Sequence, residues 1–497
     1  MSPRSASRAP LTLVRIDATS DAPLHRQIYD GLRDAIVAGR LAPGAQLPPA
    51  RVIAAELSVS RVTVATALSQ LRAEGYVESR ERSGTFVSTS IPDDLLTAHL
   101  RRRRLVQPLR PRMHTPAVRK EDGFGDETRF APRGGPPRPF RTGLPAVDAF
   151  PWDVWSRLVA RRLKRSGRAL ADYGDSRGYA PLRAAVASYV AAARGVTCTP
   201  AQVFITNGAQ QALDLIGQVL LNAGDEVWLE DPGYPGARRA FHAAGAALVH
   251  VAVDDEGISV DDGRRRAPSA RMVYVTPSHQ YPLGMTMSLA RRLELLRWAR
   301  EARAWVVEDD YDSEFRYASR PIASLQGLSD GGPVLYVGTF SKTLFPSLRV
   351  GYVVAPEPLV EAFADARFTL DRQSPTLEQA ALADFMNEGH FPRHVRRMRL
   401  LYESRRNALI RAVKDIAPDL LELGPSDSGM KVVAWLPPGV SDRDVAARGE
   451  AERLELSPVS QYATNRLARG GLVLGYAAFR STALRHGVRV LASLIDG

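Results

Sequence analysis

Asp309, Tyr311, Lys342 and Arg349 fall in one stretch, Trp305 to Arg349, at the ends of two apolar runs. The first run reads WVVEDDYDSEFRY and the second VLYVGTFSKTLFPSLRVGY. Each begins β-branched and apolar, as a buried strand does. An α/β sheet presents its chemistry at the carboxyl ends of its strands. Two such neighbours would aim an acid, a phenol, an amine and a guanidinium at one crevice. A lysine amine forms a Schiff base with an aldehyde, a carboxylate partners a protonated pyridine nitrogen, and an arginine holds a phosphate. Pyridoxal 5'-phosphate (PLP) carries all three groups, so the set suits PLP.

Lys342 is the expected Schiff-base residue. It follows Ser341 in a Gly/Ser/Thr-rich turn after an apolar strand, a poor place for a merely solvated lysine. Desolvation or a nearby cation would make it nucleophilic. Arg349, with Thr339 and Ser341, is expected to hold the phosphate through charge-assisted bonds. Asp309 ends a buried strand, which is costly unless a cation meets it. A protonated pyridine nitrogen is such a cation, and a turn cap is the plainer reading. Tyr311 can reach the ring hydroxyl. Asp309 and Lys342 are 342 − 309 = 33 residues apart.

Three further turns follow strand-like runs. In TNGAQQ, Gly208 permits a tight turn, and Ala209 and Gln210 open a helix whose free N–H groups suit an anion. Glycine turns are common in α/β proteins, so this signal is weak alone. Tyr234, in DPGYP, can stack on an aromatic ring or simply pack. His279 or Gln280, in TPSHQYP, can donate to a ring hydroxyl, and bracing of the loop is an equal reading.

These groups need a frame. From Arg141 onward helical and strand-like segments alternate, as in a mostly parallel α/β sheet. Residues 141–375 read as the large PLP-binding domain. Residues 376–497 read as a smaller α+β subdomain with KVVAWLP and GLVLGY as strands.

The front of the chain is different. Leu24, Ile28, Leu32 and Ile36 form one apolar stripe on a helix. ARVIAAEL is a second helix, and Ser60 can N-cap a third, RVTVATALSQLRAE, which Gly75 ends. YVESR and GTFV then read as a hairpin. Three helices and a hairpin make a winged helix-turn-helix over residues 1–90. Ser60, Arg61 and Thr63 open its reading helix, with residue types that reach phosphates and base edges. Arg51 is placed to clamp a phosphate, and the hairpin offers Arg80, Arg82 and Gly84 to the DNA backbone or minor groove. A small helical cap with surface arginines is the alternative. Residues 91–140 hold eight prolines and the run Arg101–Arg104, and read as a tether.

Charge agrees with a polyanion partner at this end. Residues 1–120 carry 19 Lys/Arg and 10 Asp/Glu, a net +9, out of +12 for all 497 residues. The length suffices for two or more domain cores. No run of about 18 apolar residues is present, so no transmembrane helix is expected. The first residues lack a secretory h-region. The single cysteine, Cys198, excludes an internal disulfide and suits a reducing cytoplasm. No metal site is expected.

Over residues 20–88 the sequence LPPARVIAAELSVSRVTVATALSQLRAEGYVESRERSGTFV resembles the DNA-binding domain of the GntR family of bacterial regulators. Ala67-Leu68 departs from the Ala-Tyr those regulators often carry. Residues 140–497 resemble the fold-type I PLP enzymes, the aspartate aminotransferase superfamily. The fusion, with LEDPGYPG, TPSHQYPLG, VVEDDYDSEFRY and GTFSKTLFPSLRVGY, resembles the MocR regulators. That resemblance implies PLP as cofactor, with Lys342 bonded to it, Asp309 on the pyridine nitrogen and Tyr234 stacked on the ring. Tyr311 would meet the ring hydroxyl and Arg349 the phosphate. It also implies a head-to-tail, domain-swapped homodimer on double-stranded operator DNA.

One position departs. Aminotransferases usually carry, in their last strand, an Arg that binds the substrate carboxylate. Here the matching stretch LVLGY places Val473 there. Arg480 or Arg466 could substitute. Without a bidentate clamp an amino acid is poorly oriented. The expectation is therefore a regulator that senses PLP or a PLP–amine adduct without sustained turnover. An aminotransferase with a DNA-binding appendage is the alternative.

Overall fold

The computed structural model describes residues 14, 16, 17, 20, 22–80, 84–89, 136–317 and 323–496. Arg82, Arg101–Arg104 and most of the Pro/Arg-rich stretch lie outside the described residues. The chain separates into two compact units, residues 1–114 and 115–497.

In the first unit, α1 (Leu24–Val37), α2 (Ala50–Glu56) and α3 (Arg61–Ala73) precede an antiparallel hairpin, β1 (Val77–Arg80) and β2 (Gly84–Val87). Ile28, Leu32 and Ile36 enter the core with Ile53, Val64, Leu71 and Val87. Leu24 of the expected stripe is exposed, so the stripe begins one turn later. The Ser60 Oγ accepts from the Thr63 N–H at 3.1 Å, which caps α3 and satisfies an otherwise free amide. Ser60→Ala should therefore cost this unit about 1 kcal/mol. Calorimetry of the full chain would read this as an earlier unfolding midpoint for the winged-helix transition.

The second unit is built on an eight-stranded sheet. Its strands are β3 (Val203–Thr206), β4 (Glu226–Asp231), β5 (Ala247–Asp254), β6 (Gly257–Ile258), β7 (Met272–Val275), β8 (Trp305–Asp310), β9 (Val334–Thr339) and β10 (Gly351–Val354). Their order is β3-β10-β9-β8-β7-β4-β5-β6. β10 and β6 run against their neighbours, and the remaining pairings are parallel. β7 and β9 are buried from end to end and β8 from Val306 onward, which explains the apolar residues that precede the acids closing β8. Helices cover both faces. One face packs Leu213, Ile216 and Phe241 around Tyr274 and Val307, and the other packs Leu295 and Trp298 around Val306 and Trp228.

A smaller antiparallel sheet follows, in the order β11 (Glu422–Leu423), β12 (Lys431–Trp435), β14 (Gly471–Gly475), β13 (Ser457–Pro458). Its Val432, Ala434, Leu472 and Leu474 pack on the closing helix Ser481–Asp496 through Leu484, Val488 and Leu491. Val433 and Val473, opposite each other in the ladder, face the other way. Phe140 bridges to Gly475 and is fully buried. No helix among the described residues is long and apolar enough to cross a membrane.

Candidate functional site

Glu308, Asp309 and Asp310 are consecutive acids at the end of β8, and the two-residue period of a strand separates them. On one face, Asp310 Oδ2 meets Arg194 Nε at 2.6 Å, and Glu308 accepts the amides of Leu325 and Gln326 with Arg292 3.8 Å away. Asp309 points to the opposite face. Its Oδ2 accepts from the Tyr274 hydroxyl at 2.7 Å. Its Oδ1 is buried and has no hydrogen-bond partner among the described residues. Burial pushes its carboxyl up to about 7, against the stabilising bond from Tyr274. Asp310 Oδ1 also lacks a hydrogen-bond partner among the described residues, but Glu308 and Asp310 each have an arginine beside them, whereas Asp309 has an unmet acceptor and no arginine.

Asp309 borders a cavity of about 300 Å³. The strand ends at β7, β8 and β9 supply Thr276, Tyr311, Asp312, Thr339, Ser341 and Lys342 to its wall. The Lys342 amine donates to the Gly143 carbonyl at 3.0 Å. Burial lowers its pKa, which Asp312 and Asp309 partly oppose. A Cβ at Gly143 would lie 2.7 Å from this amine, so the backbone comes close only because no side chain intervenes.

Arg349 adopts a left-handed backbone, φ 52°, and its Nη2 donates to the Asn207 carbonyl at 2.6 Å. Gly208 lies beneath this guanidinium. A Cβ there would sit 3.0 Å from Nη2, and its φ of 96° is itself a glycine conformation. Ala209 then opens the helix Ala209–Leu220, and Ala209 and Gln210 line the cavity beside Arg349. Free amides at a helix N-terminus and a guanidinium make one anion-binding corner. The Tyr234 ring stands edge-on to Tyr281 at 5.4 Å and forms another wall, its hydroxyl pushed up to about 12 by burial and then by Asp309.

The expected residues separate at this point. Gly208 meets Arg349 directly, and Ala209, Gln210, Tyr234, Asp309, Tyr311, Thr339, Ser341, Lys342 and Arg349 share the cavity. His279 and Gln280 do not line it. His279 Nδ1 is held by both oxygens of Asp312 at 3.0 Å, and its carbonyl accepts from the Tyr311 hydroxyl. Gln280 donates to the Pro232 and Tyr281 carbonyls and accepts from the Leu283 amide. Both brace the loop and neither lines the cavity; His279 Nε2 is buried with no hydrogen-bond partner among the described residues. Arg480 and Arg466 are exposed and lie outside the cavity wall, so neither replaces the missing clamp. Val473 is fully buried with Leu283, Val459 and Tyr462.

Several lining residues were not singled out from the sequence: Thr142, Gly143, Tyr274, Tyr281, Asp312 and Lys431. Lys431 had a legible signal, a charged residue opening the otherwise apolar strand KVVAW.

In the winged-helix unit, Ser60 and Arg61 are exposed at the start of α3, and Arg51 is exposed on α2. Val62 beside them is 75% exposed, a large apolar side chain suited to a thymine methyl. The Thr63 hydroxyl is engaged with Ser60 at 2.7 Å. Arg80 is tied to its own wing, bonded to Glu78 at 2.6 Å and stacked over Phe86. Gly84, φ 106°, opens β2 where it pairs with Arg80.

The acceptor on Asp309, the desolvated amine of Lys342 and the anion corner at Arg349 fit the pyridine nitrogen, aldehyde and phosphate of PLP. Comparison with known proteins points the same way. Residues 150–452 match the family "Aminotransferase class I and II", and residues 24–87 match "Bacterial regulatory proteins, gntR family". The chain is 40% identical over 481 residues to the probable rhizopine catabolism regulatory protein MocR of Rhizobium meliloti, covering 96% of this chain and 95% of that one. It is 33% identical to the HTH-type transcriptional regulator TauR of Rhodobacter capsulatus, over 94% and 96% of the two chains. Among solved structures it resembles LysN, the α-aminoadipate aminotransferase of Thermus thermophilus complexed with N-(5'-phosphopyridoxyl)-L-leucine. That match has TM-score 0.67 and 32% identity, over 72% of this chain and 92% of that one.

Proposed function

Because the chain belongs to the MocR subfamily of GntR-family transcriptional regulators, a winged-helix reader joined to a fold-type I aminotransferase-like domain, we propose that it reports PLP, or a PLP–amine adduct, to DNA. The observation that carries this reading is the unmet Oδ1 of buried Asp309, in a cavity that also holds Lys342 and Arg349. PLP, when bound, supplies an aldehyde and an electron-withdrawing ring. Lys342 is the amine that takes the aldehyde. Asp309 holds a proton at the pyridine nitrogen. Arg349, Thr339, Ser341 and the first amides of the helix at Ala209 and Gln210 hold the phosphate. Tyr234 packs on the ring, and Tyr311 meets its ring oxygen. The active form on this reading is a head-to-tail, domain-swapped homodimer on a repeated or palindromic double-stranded operator.

A ligand can shift a regulator only by its differential affinity for two states. Gel-shift titration of the DNA upstream of its own gene, with PLP-loaded and PLP-free protein, should show specific retention. The two midpoints should differ by roughly fivefold or more. Absence of specific retention in both forms would sink the proposal. A second reading, an aminotransferase with a DNA-binding appendage, draws on the same Lys342 and Asp309 geometry. Buried Val473 in place of a clamp weighs against it, and multiple turnovers with any amino donor would restore it.

A further inference from the structure

With Lys342, Asp309 and Arg349 each matched to one group of PLP, Lys431 remains as a charged group of the cavity with no assigned role. It is 4% exposed and stands at the start of β12. Its ammonium donates to the Tyr311 hydroxyl at 2.7 Å and lies 4.9 Å from the ring centres of both Tyr281 and Tyr311. An ammonium has three donors, and the hydroxyl uses one. No carboxylate among the described residues forms an ion pair with it. Asp312, the acid that acts on it most, has both oxygens on His279. A buried cation facing an open cavity without an anion is costly, and a bound anion relieves that cost.

Its position in the ladder adds a second argument. Lys431 pairs with Gly475 on β14, and Val433 pairs with Val473. Residues 431 and 433 share a face of β12, and Val433 and Val473 pack together on that side. The cation therefore stands on the strand next to Val473, on the same face of the sheet.

We propose that Lys431 is the anion anchor of the effector pocket, binding the carboxylate or sulfonate of a small amine whose nitrogen meets the cofactor held at Lys342. This rests on the PLP reading of the cavity. An ammonium is a point charge, without the planar fork of an arginine. It gives affinity for an anion with little control of its orientation. That favours recognition of an amine over its efficient conversion.

The test uses full-length protein loaded with PLP. Glycine, β-alanine, γ-aminobutyrate and taurine are titrated against n-propylamine, and the half-saturating concentration is read from the visible spectrum of the bound cofactor. Wild type should prefer at least one carboxylate or sulfonate over propylamine by tenfold or more, and the preferred probe identifies the anion. Lys431→Met should remove that preference while holding PLP within about threefold, and Lys431→Arg should retain it. The melting temperature of Lys431→Met should be unchanged or higher, since an unpaired buried ammonium is replaced by an apolar side chain of similar reach. A preference that survives in Lys431→Met, or is absent from wild type, overturns the anchor and leaves the cofactor reading standing. A wild type that acquires no visible band under PLP overturns the cofactor reading, and the anchor with it.

Discussion

Lys342→Ala protein should fold, bind its DNA, and show no visible absorbance from protein-linked PLP after gel filtration. The amine makes one hydrogen bond, to the Gly143 carbonyl, and burial already disfavours its charge. Removing it therefore costs little stability, whereas it removes the only link that survives dilution. PLP affinity should fall by roughly a hundredfold or more, about 3 kcal/mol. The difference in DNA affinity between PLP-loaded and PLP-free protein should disappear. Persistence of the band would move the linkage to another amine, and Lys431 lines the same cavity with its pKa lowered by burial to about 8. The Lys342→Ala, Lys431→Met double variant separates these outcomes by one spectrum.

Asp309→Asn should have opposite effects on the empty and the loaded protein. In the cofactor-free chain burial raises the Asp309 carboxyl from 3.8 to about 7. A carboxyl raised in the folded state loses stability as pH climbs from its unfolded value to its folded one. Here that window runs from about 4 to about 7, and above it the folded chain carries a buried anion with one oxygen unbonded. Asparagine can keep the bond from Tyr274 without that charge. Asp309→Asn should therefore stabilise cofactor-free protein at pH 8 by about 2 kcal/mol, and by nothing at pH 4. Thermal melts at the two pH values read the difference directly. PLP retention should move the other way, weakening about a hundredfold, because a pyridinium loses its only anionic partner. Equal melts at pH 8 would mean that the carboxylate is not strained. Equal PLP retention would mean that it does not meet the ring.

The sequence was most informative where chemistry and period coincide. The strands ending at Asp310 and Thr339 were readable because both are apolar until their last residues. Ser60 was readable as a cap because helix starts leave amides that a hydroxyl can fill. Other features depended on partners far away in the chain. Nothing local distinguishes Asp309 from Glu308 and Asp310, because Arg194 and Arg292 come from elsewhere in the chain to neutralise only the latter two. His279 Nδ1 is turned to Asp312, 33 residues on, a partner that no local pattern announces, and the ring stays out of the cavity wall. Lys431 reaches the cavity only through the register of β12 on β14, which no single segment encodes. Arg80 was expected to meet DNA, and its neighbours Glu78 and Phe86 hold it on the hairpin.

The acid triplet of β8 also fixes something larger than a cofactor contact. If β8 slid by one residue, Asp309 would turn toward Arg194 and Arg292, and Glu308 and Asp310 would take its place on the cavity side. Each misplaced acid would be buried without a counter-charge, a penalty of several kcal/mol. The two arginines therefore act as a lock on strand alignment. β7 and β9 take their pairing from β8, so the alignment reaches the turn that carries Lys342. A chain that mispaired here would lose its fold and the cavity that Lys342 and Asp309 line in the same event.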